Sequence, residues 1–444
     1  MFLTWIACSG EGEPGPPPTG TVSATGHTGA EPTLPPLPDQ VACATGANPM
    51  VVACSVSSSV EGPATLTLSA PAAPTRTFED PAATSERTLY GYGLWADTTY
   101  DWAVTTAAGT TRGSVTTGPL PLELAGLEVG VSGTLFGADA VLVYVDCGWF
   151  VMIDGEGRVI WGAPTTTYNT FSDAMRWAPG ERSVIAVRDA TMSPDSSLVV
   201  ETHVSGAELL RLFPQQFTNE LTHDVDRWNG YTYLLGEQAG IGGFEVFDGT
   251  TRLGAWSLLD TFAGVEALET AHVNGLTVSE AGEVVISVFG FDSVVAVDGD
   301  PASPTFLQHR WTAAGAPGGG RDLPYPDYVV QGTAFEQQHN ASRHGDDLWV
   351  FDNRSQGAAR ALRMAMDPTS GTLTETGSWS TGRTCYNQGG ALPIEGGALV
   401  TCANTAEVFA FREGATEADW TMHASCDGPV AFAVSTRAYP VTVR

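Results

Sequence analysis

The sequence predicts an all-β protein, a six-bladed β-propeller over residues 119–444 preceded by a small β-sandwich over residues 41–118. Three observations lead there. Glycine and proline are abundant, at 51 and 28 residues, while long apolar stripes at helical spacing are scarce, which favours short strands and many turns. Residues 41–118 hold short alternating segments ("MVVACSVSSS", "ATLTLSAP", "RTLYGYGL", "TTYDWAVTTA", "TRGSVTTG") separated by turn residues, the pattern of a small sandwich. Residues 120–444 hold a repeat in which an apolar triplet or quartet is followed by an Asp or Gly turn and a strand ending near tryptophan. Its six copies are "FVMIDGEGRVIWG" (150–162), "SLVVETHVSGAELLRLF" (197–213), "GGFEVFDGTTRLGAWSL" (242–258), "SVVAVDGDPASPTFLQHRW" (293–311), "ALRMAMDPTSGTLTETGSW" (361–379) and "EVFAFREGATEADWTMH" (407–423). A hairpin cannot bury both its faces alone, but six four-stranded sheets around an axis can.

Ahead of these domains, residues 1–8, "MFLTWIAC", resemble the end of a lipoprotein signal in which Cys8 is acylated, although the apolar stretch is short and carries no Lys or Arg. Residues 9–40 are Gly, Pro, Thr, Ser and Glu with almost no large apolar groups, the composition of a disordered tether. The remaining six cysteines can pair fully, which fits an oxidising compartment, a secreted or cell-envelope location. No CxxC pair is present, so metal-site spacing is absent. Cys43 and Cys54 can bridge within the sandwich. Cys385 and Cys402 flank a predicted hairpin of the last blade, and Cys147 with Cys426 would close the ring; six cysteines allow fifteen connectivities. No other stretch is long and apolar enough to read as a membrane span, so contact with a membrane is expected only through the lipid. The net charge of −30 repels phosphate backbones and argues against nucleic acid as a partner. The chain reads as a monomer.

Three of the eight histidines precede strand-like segments at comparable points in successive repeats: His223 in "NELTHDVDRWNGYTYLLGE", His272 in "LETAHVNGLTVSEAGEVVISVFG" and His339 in "AFEQQHNASRHGDDLWVFDN". Equal placement in different blades would bring the three imidazoles together at the channel axis. A single histidine is more often structural, but three in one phase of a repeat point to a site. Asp224 and Asn274 beside them suit supporting or substrate contacts. Three imidazoles are also a zinc ligand set, so a histidine–metal enzyme is one alternative. His27, His203, His309, His344 and His423 fall in the tether, turns or outer strands and read as structural or solvated.

Two resemblances sharpen this picture. The run "LWADTTYDWAVTTAAGTTRGSVTTGPLP" resembles the end of a fibronectin type III domain. "LTHDV", "AHVNGLTVSEAGEVVISV" and "FEQQHNASRHGDDLWVFDN" resemble, in order and spacing, the three histidine motifs of the bacterial arylsulfate sulfotransferase family. "ALRMAMD" and "NQGGALPIEGGALVTCANTAEVFAF" resemble its later segments, so the likeness spans roughly 120–444. The resemblance implies transfer of a sulfuryl group between phenols through a sulfohistidine, with no cofactor, neither a nucleotide sulfate donor nor a metal. His339 matches the nucleophile, His223 and His272 match the two histidines that handle the leaving and accepting oxygens, and Asn274 matches a residue that holds sulfuryl oxygens. A neutral imidazole is a good nitrogen nucleophile. Aromatic walls for a phenol are sought in Tyr386, Phe335 or Trp228. One departure stands out. The family's arginine in the strand after the second motif falls here on Gly290 or Phe289, neither of them charged, and a replacement cation would have to come from Arg343, Arg354 or Arg383. Without one, the reading shifts to a tethered, non-catalytic ligand-binding propeller.

Overall fold

The computed structural model describes residues 39–165, 174–188, 198–316, 322–353, 357–386, 388–426 and 437–444. The Cys8 acylation site, most of the 9–40 tether and Arg354 lie outside the described residues.

The first domain is built on two 19-residue strands, Val52–Ala70 and Ala73–Gly91, that pair with each other along their length. The first half of Val52–Ala70 also pairs with Gln40–Thr45, and its second half with Thr99–Thr106, which in turn pairs with Gly109–Thr116. Side chains in Val52–Ala70 alternate between buried and open, as a sheet with one wet face requires. Leu66, Leu68, Phe78, Leu89, Tyr100 and Trp102 fill the space enclosed. The Tyr100 hydroxyl accepts the Trp95 N–H at 2.9 Å, a corner that holds the entry into Thr99–Thr106. Cys43 is bonded to Cys54 across paired strands.

The rest is a propeller of six blades. From axis to rim, blade 1 runs Tyr439–Val441, Ala140–Val145, Trp149–Asp154, Val159–Pro164. Blade 2 runs Ala174–Ala178, Ser183–Arg188, Leu198–His203, Glu208–Leu212, and blade 3 Glu220–Trp228, Tyr231–Gln238, Ile241–Asp248, Thr251–Ser257. Blade 4 runs Val273–Val278, Glu283–Val288, Ser293–Asp298, His309–Ala314, and blade 5 His339–His344, Asp347–Asp352, Arg360–Asp367, Thr372–Ser380. Blade 6 runs Gly390–Ile394, Gly397–Cys402, Glu407–Arg412, Trp420–Cys426 and gains an outer fifth strand, Leu127–Gly133. Tyr328–Gln331 lies parallel to the outer strands of blades 4 and 5 and joins them. Each of the six sequence repeats is the outer hairpin of one blade.

Middle strands such as Ala140–Val145 and Trp149–Asp154 are buried at every position, because neighbouring blades cover both faces. Three of the tryptophans that close the repeats staple blade to blade. The indole N–H of Trp161 in blade 1 donates to Val204 O in blade 2 at 2.8 Å, that of Trp379 in blade 5 to Arg412 O in blade 6 at 3.0 Å, and that of Trp420 in blade 6 to Gly155 O in blade 1 at 3.0 Å. A buried indole usually finds such a partner.

The ring is closed three times. The C-terminal strand Tyr439–Val441 is the innermost strand of blade 1, Leu127–Gly133 caps blade 6, and Cys147 is bonded to Cys426 between those two blades. Cys385 and Cys402 form the third disulfide. The sandwich core continues into blades 1 and 2 through Tyr92, Leu94, Trp161, Trp177 and Val443.

Candidate functional site

Innermost strands run the same way along the channel, so residues at their starts share one mouth. Blades 3, 4 and 5 each break their pairing at that point. The register shifts between Leu221 and Val225, between Val273 and Gly275, and between His339 and Ser342. Such irregularities re-aim side chains. His223, His272, Gln337 and Asn340 all have left-handed backbone, with φ of 53°, 45°, 52° and 50°, a conformation that concentrates at functional sites.

The three histidines do come together at this mouth, around a ring that sequence reasoning noted only as an uncharged position. His223 and His272 meet edge to face at 4.9 Å between centroids. Phe289 then stands between His272, at 5.5 Å, and His339, at 5.4 Å. At Gly290 a Cβ would lie 2.2 Å from Thr270 O, so no side chain of any kind fits there. The aromatic group in the site is therefore Phe289. Phe335 is fully buried in the core between blades 4 and 5, Trp228 packs outward against Gly282, and Tyr386 is half exposed on the segment next to Gln388.

His339 is held in one tautomer. Asn353 Nδ2 donates to Cys385 O at 2.6 Å and Gln388 O at 2.9 Å, which turns its Oδ1 toward His339 Nδ1 at 2.8 Å. Nδ1 must then carry the proton, leaving a lone pair on Nε2, which accepts the Gln388 N–H at 3.1 Å. Burial, opposed in part by the Asn353 bond and reinforced by Arg437, pushes the His339 pKa down to about 3. His223 is pushed to about 3 by burial and then by its histidine neighbours and Arg437; its Nδ1 is bonded to Thr222 Oγ1. His272 is the open member, with 47% of its side chain exposed; desolvation lowers its pKa, and Glu237 lies 3.9 Å from its Nδ1. All three rings are neutral at pH 7.

The preceding glutamines tie blade 5 to blade 4. Gln338 Nε2 donates to Ser293 O at 2.7 Å and Val288 O at 3.2 Å, and Gln337 N donates to Asp292 at 2.7 Å. Asn274 is buried, with Nδ2 donating to Gln338 O at 3.0 Å; Oδ1 is the atom it leaves for other contacts.

Arg343, bonded to Glu283 at 2.5 Å, and Arg383, bonded to Glu407 at 2.8 Å, are each held by a carboxylate, and so is the cation whose charge bears on both His223 and His339. It is Arg437, which enters just ahead of the closing strand of blade 1. Its guanidinium is buried, bonds Asp224 and donates to Asn274 O at 3.3 Å. Asp224 also receives the Leu276 N–H at 2.5 Å, so this carboxylate is structural. Deeper in the channel Arg176 pairs with Asp226 at 2.7 Å.

A zinc set does not form here. Among the described residues, the one trio of potential ligand side chains whose donor atoms lie within 4.8 Å of one another is Asp146, Cys147 and Cys426, whose two cysteines are a disulfide. The Phe289 ring separates His272 from His339.

The chain is thus a β-propeller protein with a histidine-lined channel mouth. No protein-family model matches it, and no curated protein matches its sequence. Its fold is similar to that of a periplasmic gluconolactonase from Pseudomonas aeruginosa (12% identity, 86% of this chain and 97% of that one, TM-score 0.37). It is also similar to a streptogramin B lyase (9%, 70% and 91%, 0.39) and to virginiamycin B lyase from Staphylococcus aureus (10%, 68% and 75%, 0.33). Likeness at this level bears on neither the site nor its chemistry.

Proposed function

We propose that the mouth is a group-transfer site at which His339 Nε2 receives the sulfuryl group of an aryl sulfate and passes it to an acceptor phenol. The observation that carries this reading is the Asn353–His339 bond, which fixes a neutral imidazole with its lone pair on Nε2. In the first half-reaction Nε2 bonds to sulfur, the sulfur–aryl oxygen bond breaks, and its electron pair leaves with the phenol oxygen. The imidazolium so formed keeps its Nδ1–H on Asn353. Attack requires Nε2 to release the Gln388 N–H. In the second half-reaction the acceptor oxygen bonds to sulfur as the Nε2–sulfur bond breaks and its electron pair returns to Nε2; His223 and His272, each neutral with one N–H and one lone pair, donate to the departing phenolate and take the proton of the acceptor phenol. Arg437 supplies the positive charge that the Phe289–Gly290 segment lacks. The edge of Phe289 provides an apolar wall for the aryl ring.

A second reading, a ligand-binding propeller without turnover, is favoured by the same Gln388 contact and by His339 being only 5% exposed. The two are separated by incubating the full chain with 4-nitrophenyl sulfate and excess phenol. Release of 4-nitrophenolate that needs both the phenol and His339, and is lost in His339→Ala, supports transfer. No release leaves the binder.

Three disulfides fit an oxidising, extracytoplasmic compartment. Acylation at Cys8 would tether the protein to an envelope membrane; among the described residues no helix is long and apolar enough to cross one.

A further inference from the structure

Each of the three imidazoles has a side chain behind its Nδ1, and the three differ in kind. His339 has the Asn353 amide at 2.8 Å, His223 has the Thr222 hydroxyl, and His272 has the Glu237 carboxylate, with Oε1 3.9 Å from Nδ1. An amide oxygen fixes a tautomer and brings no charge. A hydroxyl can donate or accept, so it fixes neither form. A carboxylate only accepts, and it stabilises the ring once a second proton arrives.

Glu237 is suited to that task. It stands near the end of Tyr231–Gln238 in blade 3, and its Oε1 is buried without a partner. Burial, with the like charge of Glu220 across the ladder, pushes its pKa up, against a bond from the Val273 N–H. A carboxylate in this state gains from a cation beside it. The ring it faces is also the open one. His272 has 47% of its side chain exposed, so a proton taken there can pass to water, whereas His339 is buried. The backbone of His272 is fixed, with φ of 45° and its carbonyl accepting the Phe289 N–H at 3.2 Å. Contacts such as the one to Glu237 are commonly long before substrate enters and shorten with it.

We infer that Glu237 is a positioning residue that makes His272 the base of this mouth: it holds the ring with a proton on Nδ1 and a lone pair on Nε2. The inference rests on the transfer reading and divides work which that reading shares between two rings. As the acceptor oxygen bonds to sulfur, its O–H bond breaks, the electron pair stays on oxygen and the proton moves to His272 Nε2. The charged ring is balanced by Glu237 until the proton leaves to water. His223, with only a hydroxyl behind it, is left to the departing phenolate. The other titratable groups about His272 are His223 at 4.9 Å, His339 beyond Phe289, and Glu220 beside Glu237; of all these only the two carboxylates favour a proton on the ring.

The test is histidine NMR on the full chain without substrate, with the His272 signals assigned by their loss in His272→Ala. Above neutral pH the wild type is expected to carry the His272 proton on Nδ1. In Glu237→Gln, which keeps the shape and loses the charge, the His272 pKa is expected to fall by about one unit, and Glu237→Asp is expected to restore part of that shift. A wild-type ring protonated on Nε2 would overturn the inference, and this reading needs no variant to fold. So would a His272 titration unmoved by Glu237→Gln. In the 4-nitrophenolate assay the acid limb of kcat/KM should move to lower pH by the same amount in Glu237→Gln. If His272 titrates as expected but 4-nitrophenyl sulfate is not turned over, the base stands and transfer falls. If turnover needs phenol and His339 but its pH profile ignores Glu237, transfer stands and the inference falls.

Discussion

Blades 3, 4 and 5 bring neutral nitrogen to the channel mouth, whereas blades 1 and 2 bring cations to the channel. The first group bends its innermost strands at His223, His272 and His339 so that three imidazoles gather at one mouth around Phe289. The second sends Arg437 and Arg176 from innermost positions, each already matched to an aspartate on blade 3. The difference teaches that the two ingredients of anion chemistry, a nucleophile and a charge, are delivered by opposite sides of the ring.

The largest expected effect comes from the arginine side. Arg437→Gln should lower kcat/KM about 10²–10³-fold, the scale of losing one preorganised donor. It should also cost about 3–5 kcal/mol in stability, because Asp224 is left buried without its partner. Removing both groups in Arg437→Met/Asp224→Leu should return part of the stability, since the Leu276 N–H then loses its acceptor, and none of the activity, as read by urea unfolding and the 4-nitrophenolate assay. If the single variant keeps full activity, the charge is not used and the two halves are not cooperating.

The same comparison shows what could be read in the sequence. The six hairpin repeats announced the blades because each must bury itself against its neighbours and so carries the same apolar run and turn, with a tryptophan in five of the six. The histidines were legible for the same reason, being placed at one phase of that repeat. Asn353 lay within the quoted "FDN" run, but its role depends on the Cys385 and Gln388 carbonyls, which only the fold brings near. Arg437 carried no signal at all. It sits outside every repeat, ahead of a three-residue strand that closes blade 1 from the far end of the chain. Phe289 was visible only as a missing charge; that it fills the space between two imidazoles follows from the turn at Phe289–Phe291.

Ring closure is the next effect in size. Cys147→Ser with Cys426→Ser should destabilise the protein by about 2–5 kcal/mol, the typical loss of a native disulfide. Because that bond joins blades 1 and 6, and not the histidine blades, activity at temperatures well below the melting point should remain. A melting curve and the transfer assay on one preparation check both halves of this statement.

The histidine side can be probed by pH. In the folded protein the His339 ring stays neutral down to about pH 3, while an unfolded histidine takes its proton below about pH 6.5. The stability gained by keeping the ring neutral is complete above about pH 6.5 and is lost as pH falls toward 3, at about 1.4 kcal/mol per unit. His339→Gln should flatten this dependence by that amount in urea unfolding between pH 7 and about pH 5. An identical slope in the variant would show that the ring titrates normally. Smallest of all, Phe289→Leu should cost about tenfold or less in kcat/KM, the worth of aromatic edge contacts.

The most direct measurement is to trap the intermediate. The full chain would be mixed with 4-nitrophenyl sulfate, quenched under alkaline conditions, digested and examined by mass spectrometry. The account expects one added sulfuryl group on the peptide carrying His339, absent from His339→Ala and discharged when phenol is added before the quench. An unmodified His339 peptide in a preparation that releases 4-nitrophenolate, or modification of another residue, would contradict it.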